Sequence, residues 1–175
     1  MKFAIPAALA VLLAAPLAAQ DQPAATYDRE AIVKSVDGDL LAAIAGGIGG
    51  GAFTVIRQYE DSPTVLIENQ DGYRMLLSGN NCLDEAGTGE CTGIIMQMSM
   101  SDSEGIIDPE TVAAYNRNFY PTKVFLDEEG SFWMERYLVL AHGMTQENLG
   151  FNIFIVYSSW DKALPYVLGE KERDF

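Results

Sequence analysis

The sequence predicts one α+β domain in which a mainly antiparallel sheet of about six strands packs with helices. Three observations carry that expectation. Between residues 53 and 100 apolar side chains recur largely at every second position, the period of strands. Three other stretches, near residues 40–45, 109–118 and 145–164, follow a helix-capping residue, and the last repeats its apolar residues at three and four. Turn formers separate the strand-like runs, as in Asn69-Gln70-Asp71-Gly72 and Asp127-Glu128-Glu129-Gly130. The 175 residues otherwise suit a single compact unit, with no internal repeat and no second domain.

The chain opens on a segment of a different kind. Met1 and Lys2 give a short basic end, an apolar stretch follows to Leu13, and Leu17-Ala18-Ala19 offers small residues for a cut. That order is expected of a secretory signal peptide over residues 1–19, cleaved after Ala19. An uncleaved anchor is the competing reading, but the segment is short for a bilayer and holds Pro6 and Pro16. No later run approaches a membrane span, so no stable membrane insertion is expected after cleavage, and the expected compartment is the periplasm, with secretion to the exterior as the alternative.

Residues 20–30 read as a loose lead-in, and the domain is expected over residues 31–168. Residues 31–36 suit a short strand or a first helical turn. Asp37 or Asp39 caps a short helix over 40–45, which the glycines between 46 and 51 should stop through their cost in backbone entropy. Phe53, Val55 and Arg57 then alternate with Thr54, Ile56 and Gln58 in a first strand of the sheet. A second strand covers 64–68, and Asp71-Gly72 accepts the positive φ of a turn. A third covers 73–78, with Gly79-Asn80-Asn81 after it. In the fourth, Ile94, Met96, Met98 and Met100 share one face, opposite Ile95, Gln97 and Ser99. A row of thioethers invites a copper reading. Packing under a helix is the commoner use of methionine.

Asp108-Pro109-Glu110 is a helix start, with Asp as cap and Pro at the first position. Strands at 124–126 and 131–140 flank the Asp127–Gly130 turn. Thr145 opens the last helix, where Leu149, Ile153, Val156, Trp160 and Leu164 form the buried stripe and Pro165 closes the clear run. Residues 169–175 form a charged tail. The expected order is helix, four strands, helix, two strands, helix.

Charge excludes some partners. The formal charge is −14, and loss of Lys2 with the leader leaves 10 basic residues against 25 acidic ones. Phosphate contacts need clustered Lys and Arg, so no nucleic acid is expected, nor adhesion to anionic lipid. Only Cys82 and Cys91 occur, and in an exported chain an isolated pair at this spacing reads as a disulfide. A metal site or a redox pair is the alternative. The first would need more ligands than His142 supplies, and the second favours C-x-x-C spacing.

No catalytic, cofactor-binding or metal-binding residues are expected, and no cofactor. The glycine run follows a helix rather than opening one and is not a phosphate cradle. His142 is a lone loop imidazole, and Ser158 and Ser159 lack a nucleophile elbow. Acidic residues gather at Asp84, Glu85 and Glu90, at Asp102 and Glu104, and at Asp127, Glu128 and Glu129, without a calcium-loop pattern. They read as a solvated rim.

The succession from the cysteine pair onward carries a family resemblance. Cys82 and Cys91 precede the alternating strand, and Asp108-Pro109-Glu110-Thr111-Val112 opens the helix ending in Tyr115-Asn116-Arg117-Asn118-Phe119. Then come Val124-Phe125-Leu126-Asp127-Glu128-Glu129-Gly130, Trp133-Met134-Glu135 and His142-Gly143-Met144-Thr145. This resembles the YbjN-domain family of bacterial proteins, most specifically over residues 116–130. The resemblance implies an α+β fold like that of type III secretion chaperones, which are dimeric binders of other proteins, and a loose label of sensory-transduction regulator. It brings no catalytic motif. The expectation is a non-enzymatic exported module that binds another protein, with a homodimer as an option. Phe53, Met98 and Trp133 are candidate contacts if the sheet is only partly covered. The alternative is an envelope enzyme or small-ligand binder using an acidic cleft.

Overall fold

The computed structural model describes residues 25–83, 89–101, 105–118 and 121–169. The expected leader, the start of the lead-in and all but the first residue of the tail lie outside these residues, as do Asp84, Glu85, Asp102 and Glu104.

Within them the fold is α+β. A six-stranded sheet is built from β2 (Phe53–Tyr59), β3 (Thr64–Asn69), β4 (Arg74–Cys82), β5 (Cys91–Met100), β6 (Lys123–Leu126) and β7 (Phe132–Val139). Its order is β2-β3-β4-β5-β7-β6, and every neighbouring pair is antiparallel. A small ribbon absent from the expected order joins β1 (Ile32–Val33) to β8 (Met144–Thr145). The helices are α1 (Gly38–Gly47), α2 (Pro109–Asn118) and α3 (Gln146–Val167).

Local chemistry sets the helix starts. The Asp37 carboxylate accepts the Leu40 N–H at 2.8 Å, Asp108 accepts that of Thr111 at 3.1 Å, and Thr145 Oγ1 accepts that of Asn148 at 3.1 Å. Each satisfies a donor that the first helical turn leaves free.

Three boundaries and the alternation of one strand differ from expectation, each for a tertiary reason. Helix α1 runs on through Gly46 and Gly47 into a 3-10 turn at Ile48–Gly50. Tyr27 lies so close to Gly47 that a Cβ there would fall 2.2 Å from its ring, and Ile48 is buried against Gly150 of α3. That packing outweighs the roughly 1 kcal/mol that each glycine costs a helix. The stop comes at Gly49, Gly50 and Gly51, whose φ angles are 59°, 68° and 96°. In β2 a bulge at Ile56 breaks the alternation: Val55 pairs with Ile67 but Arg57 with Leu66, so Arg57 leaves the face of Phe53 and Val55. Strand β4 continues through Gly79 and Asn80 because both pair with β5. Helix α3 passes Pro165, which removes one donor in the last turn while Tyr166 and Val167 stay buried.

The core lies between one sheet face and the helices. Val65, Ile67, Met75, Leu77, Ile94, Met96 and Met98 meet Leu41 and Ile44 of α1, Tyr115 of α2, and the expected α3 stripe. Leu164 of that stripe is only half-buried. The methionine face of β5 is therefore core, apart from half-buried Met100 at its end.

Candidate interaction surfaces

The second face of the sheet carries no helix among the described residues. Cross-strand register aligns Leu66, Leu76, Gln97, Glu135 and Lys123 in one row across it. A parallel row holds Ser78, Ile95 and Tyr137, and a third holds Trp133 and Phe125. Most of these side chains are half-buried by their neighbours alone. Tyr137 is 48% exposed, and Val139 near the strand end is 56% exposed.

These groups are held in place. Tyr137 lies across Gly93, where a Cβ would approach its hydroxyl to 2.5 Å. Phe125 and Trp133 stack at 6.4 Å with their planes 9° apart. The Trp133 indole donates to Asp127 Oδ2 at 2.7 Å, and the Ser131 N–H donates to Oδ1 at 2.7 Å. Those bonds, the indole's first, hold the Asp127 carboxyl below the usual aspartate range. Gln97 donates to Glu135 at 3.1 Å, and Arg74 pairs with Glu68 at 2.7 Å. Aromatic surface fixed in advance loses little conformational entropy on contact, the composition typical of interface centres.

A second feature lies on the outer side of α3. Glu147, Phe151, Phe154, Ser158 and Asp161 recur at four, three, four and three, opposite the buried stripe. Phe151 is 61% exposed and Phe154 55%. They border a recess of about 430 Å³ whose other walls are Tyr27, Ile48, Gly49, Gly50 and Gly150. Its rim holds the Arg29–Glu147 ion pair. Phe154 also borders a second recess of about 260 Å³, floored by the stacked Phe53 and Tyr157 rings, whose centroids are 4.9 Å apart. Asp71, from the β3–β4 turn, and Asp161 line that recess from two sides. Partial burial pushes the Asp161 carboxyl above its usual range, and the Asp71 charge adds to the shift. The Tyr157 hydroxyl donates to the Ile67 and Tyr73 carbonyls at 3.4 and 3.3 Å and is held far above the usual tyrosine value, chiefly by burial.

The residues singled out in the sequence are dispersed. Cys82 and Cys91 stand opposite each other across β4 and β5 with their sulfurs at disulfide distance, 2.04 Å. Phe53 and Met98 face the helices and are buried, so of the three candidate contacts only Trp133 lies on the open face. His142 is exposed in the loop before β8, Ser158 is half-buried and Ser159 buried. Glu90, Glu128 and Glu129 are exposed, while Asp127 serves the hairpin. The convergence of Asp71 with Asp161 had no signal in the sequence, because ninety residues separate them.

No curated protein and no solved structure matches the chain. Residues 61–168, from just beyond β2 to just beyond α3, match the YbjN family model, described as "Putative bacterial sensory transduction regulator". That span takes in five of the six sheet strands, the open face they present, and both α2 and α3; the chain belongs to the YbjN family.

Proposed function

We propose that the chain is a non-enzymatic regulatory module that binds another protein through the open face of its sheet, working in the periplasm after export. The observation that carries this reading is the set of aromatic and aliphatic side chains on β5, β6 and β7 that no helix covers among the described residues, Phe125 with Trp133 in one row and Ile95 with Tyr137 in another on either side of the Gln97–Glu135–Lys123 row, with exposed Val139 beyond. Apolar side chains exposed together on one face and set among polar ones mark interaction sites more than scattered single ones do. The family description supports regulation rather than a reaction. The apolar leader and the cysteine pair support an oxidising compartment outside the cytoplasm. A chaperone-like or homodimeric mode belongs to the same reading, since either uses an uncovered face.

The test is site-specific photocrosslinking in intact cells. A photoreactive residue is placed at Tyr137 and, as control, at exposed Glu110 on α2, and fractions are separated by compartment. A discrete adduct at position 137, absent at 110 and found in the periplasmic fraction, is expected. Equal labelling at both positions would remove the open face from the account. A cytoplasmic location would remove export.

A further inference from the structure

We propose that the outer face of α3 is a second docking site, and that its occupant is an extended segment of another protein in which an apolar side chain and a Lys or Arg lie about three residues apart. It shares with the reading above only the premise that the chain binds protein, for the surface is on the other side of the helices.

The groove is asymmetric in charge. At one end Glu147 is already neutralised by Arg29. At the other, Asp71 and Asp161 face the same recess, and neither has an ion-pair partner among the described residues. The middle is apolar, with Phe151 and Phe154 exposed over Ile48. Two carboxylates beside aromatic rings suit an ammonium or guanidinium group, which gains from the charges and from the ring faces together.

Spacing fixes the motif. Phe154 and Asp161 are seven residues apart on a helix, about 10 Å along its axis at 1.5 Å per residue. An extended chain covers that distance in about three residues at roughly 3.3–3.6 Å each. A free small cation would satisfy the carboxylates but leave both phenylalanines in water. A second copy of this chain is the weaker match, because its surface is predominantly acidic and Arg29 is already paired.

The experiment measures fluorescence anisotropy of the labelled peptide Gly-Leu-Phe-Ala-Ser-Arg-Gly, with capped ends, against the purified protein. A matched peptide carries Gln in place of Arg. The Arg peptide is expected to bind saturably and about tenfold more tightly than the Gln peptide. The double variant Asp71→Asn, Asp161→Asn should erase that preference without changing Gln-peptide binding, and Phe154→Ser should weaken both. All three positions border solvent-accessible recesses, and a single cooperative thermal melt no more than a few degrees below that of the parent verifies folding. Absence of saturable binding, equal affinity for the two peptides, or an unaltered preference in the double variant would overturn the proposal. So would a dimer in sedimentation that Phe154→Ser dissolves, since the occupant would then be a second copy. If the peptides fail while position 137 still crosslinks, only this proposal falls; if both fail, so does the protein-binding reading.

Discussion

Replacing Asn116 by Ala should both destabilise the domain and open an edge of its sheet. Strand β6 is a terminal strand of the sheet, and its inner side is taken by β7. On its outer side Asn116 of α2 acts as a substitute strand: its Nδ2 donates to the Val124 carbonyl at 2.7 Å, and its Oδ1 accepts the Val124 N–H at 2.9 Å. Val124 is 0% exposed, so water does not freely replace the side-chain amide. Losing two hydrogen bonds at about 1 kcal/mol each, with part of the cost of stranding two buried main-chain groups, gives about 2–4 kcal/mol. For a domain of this size that is a drop of about 5–15 °C in melting temperature. Asn116→Asp is the sharper variant, since a carboxylate still accepts from the N–H but meets the carbonyl with no proton to donate. It should cost at least as much as Ala. Thermal and urea unfolding measure the stability, and sedimentation velocity detects the edge-to-edge association that an uncovered strand permits. If the Ala variant lies within about 0.5 kcal/mol of the parent, a surface-substitution value, and stays monodisperse, the role assigned to Asn116 is wrong.

Two further outcomes are expected. Reducing the Cys82–Cys91 pair releases a loop of sequence separation 9, worth about 2.5 kcal/mol by chain entropy; the melting temperature in reductant should fall by about 5–10 °C, and an unchanged melt would show that the crosslink does not constrain the unfolded chain. For Asp161 the folded carboxyl titrates above its unfolded value, so ionisation opposes folding progressively between the two values and fully above the folded one. Asp161→Asn should therefore stabilise the protein at neutral pH, by less than about 1 kcal/mol for so exposed a group, with the gain vanishing as pH falls below the ordinary aspartate value; a gain that persists in acid would contradict the charge origin.

What was legible in the sequence was what neighbours in the chain decide. Asp37, Asp108 and Thr145 cap helices three residues away, and the two-residue period of β5 separates buried Ile94, Met96 and Met98 from Ile95, Gln97 and Ser99. What was hidden depends on distant partners. Gly47 stays helical because Tyr27 fills the space a side chain would need, and β4 reaches Cys82 because β5 pairs with its last residues. The β1–β8 ribbon joins segments more than a hundred residues apart, and two-residue strands leave no period to read. Asn116 is an intermediate case. Its place in the Tyr115–Phe119 stretch marked it through family likeness, but the eight-residue reach to Val124 follows no helix or strand repeat.

The distribution of charge explains why the two surfaces would not compete for one partner. Across a chain of net charge −14, the open sheet face holds Arg57, Arg74 and Lys123 against Glu68, Glu135 and the Asp127 carboxylate bonded to Trp133, a balanced set. Arg74 is paired with Glu68, and Lys123 stands directly across from Glu135 and over the Phe125 ring. The acidic surplus is therefore carried elsewhere, at exposed positions such as Glu60, Asp61, Glu110, Glu128 and Glu129. Repulsion between acidic rims opposes non-specific association without placing uncompensated charge on the sheet face, where desolvating it would oppose contact. The α3 groove has the reverse arrangement, an apolar middle ending in two carboxylates with no ion-pair partner among the described residues. Contact at the sheet face should accordingly depend weakly on salt and favour neutral surfaces, whereas contact at α3 should weaken with salt and favour basic ones.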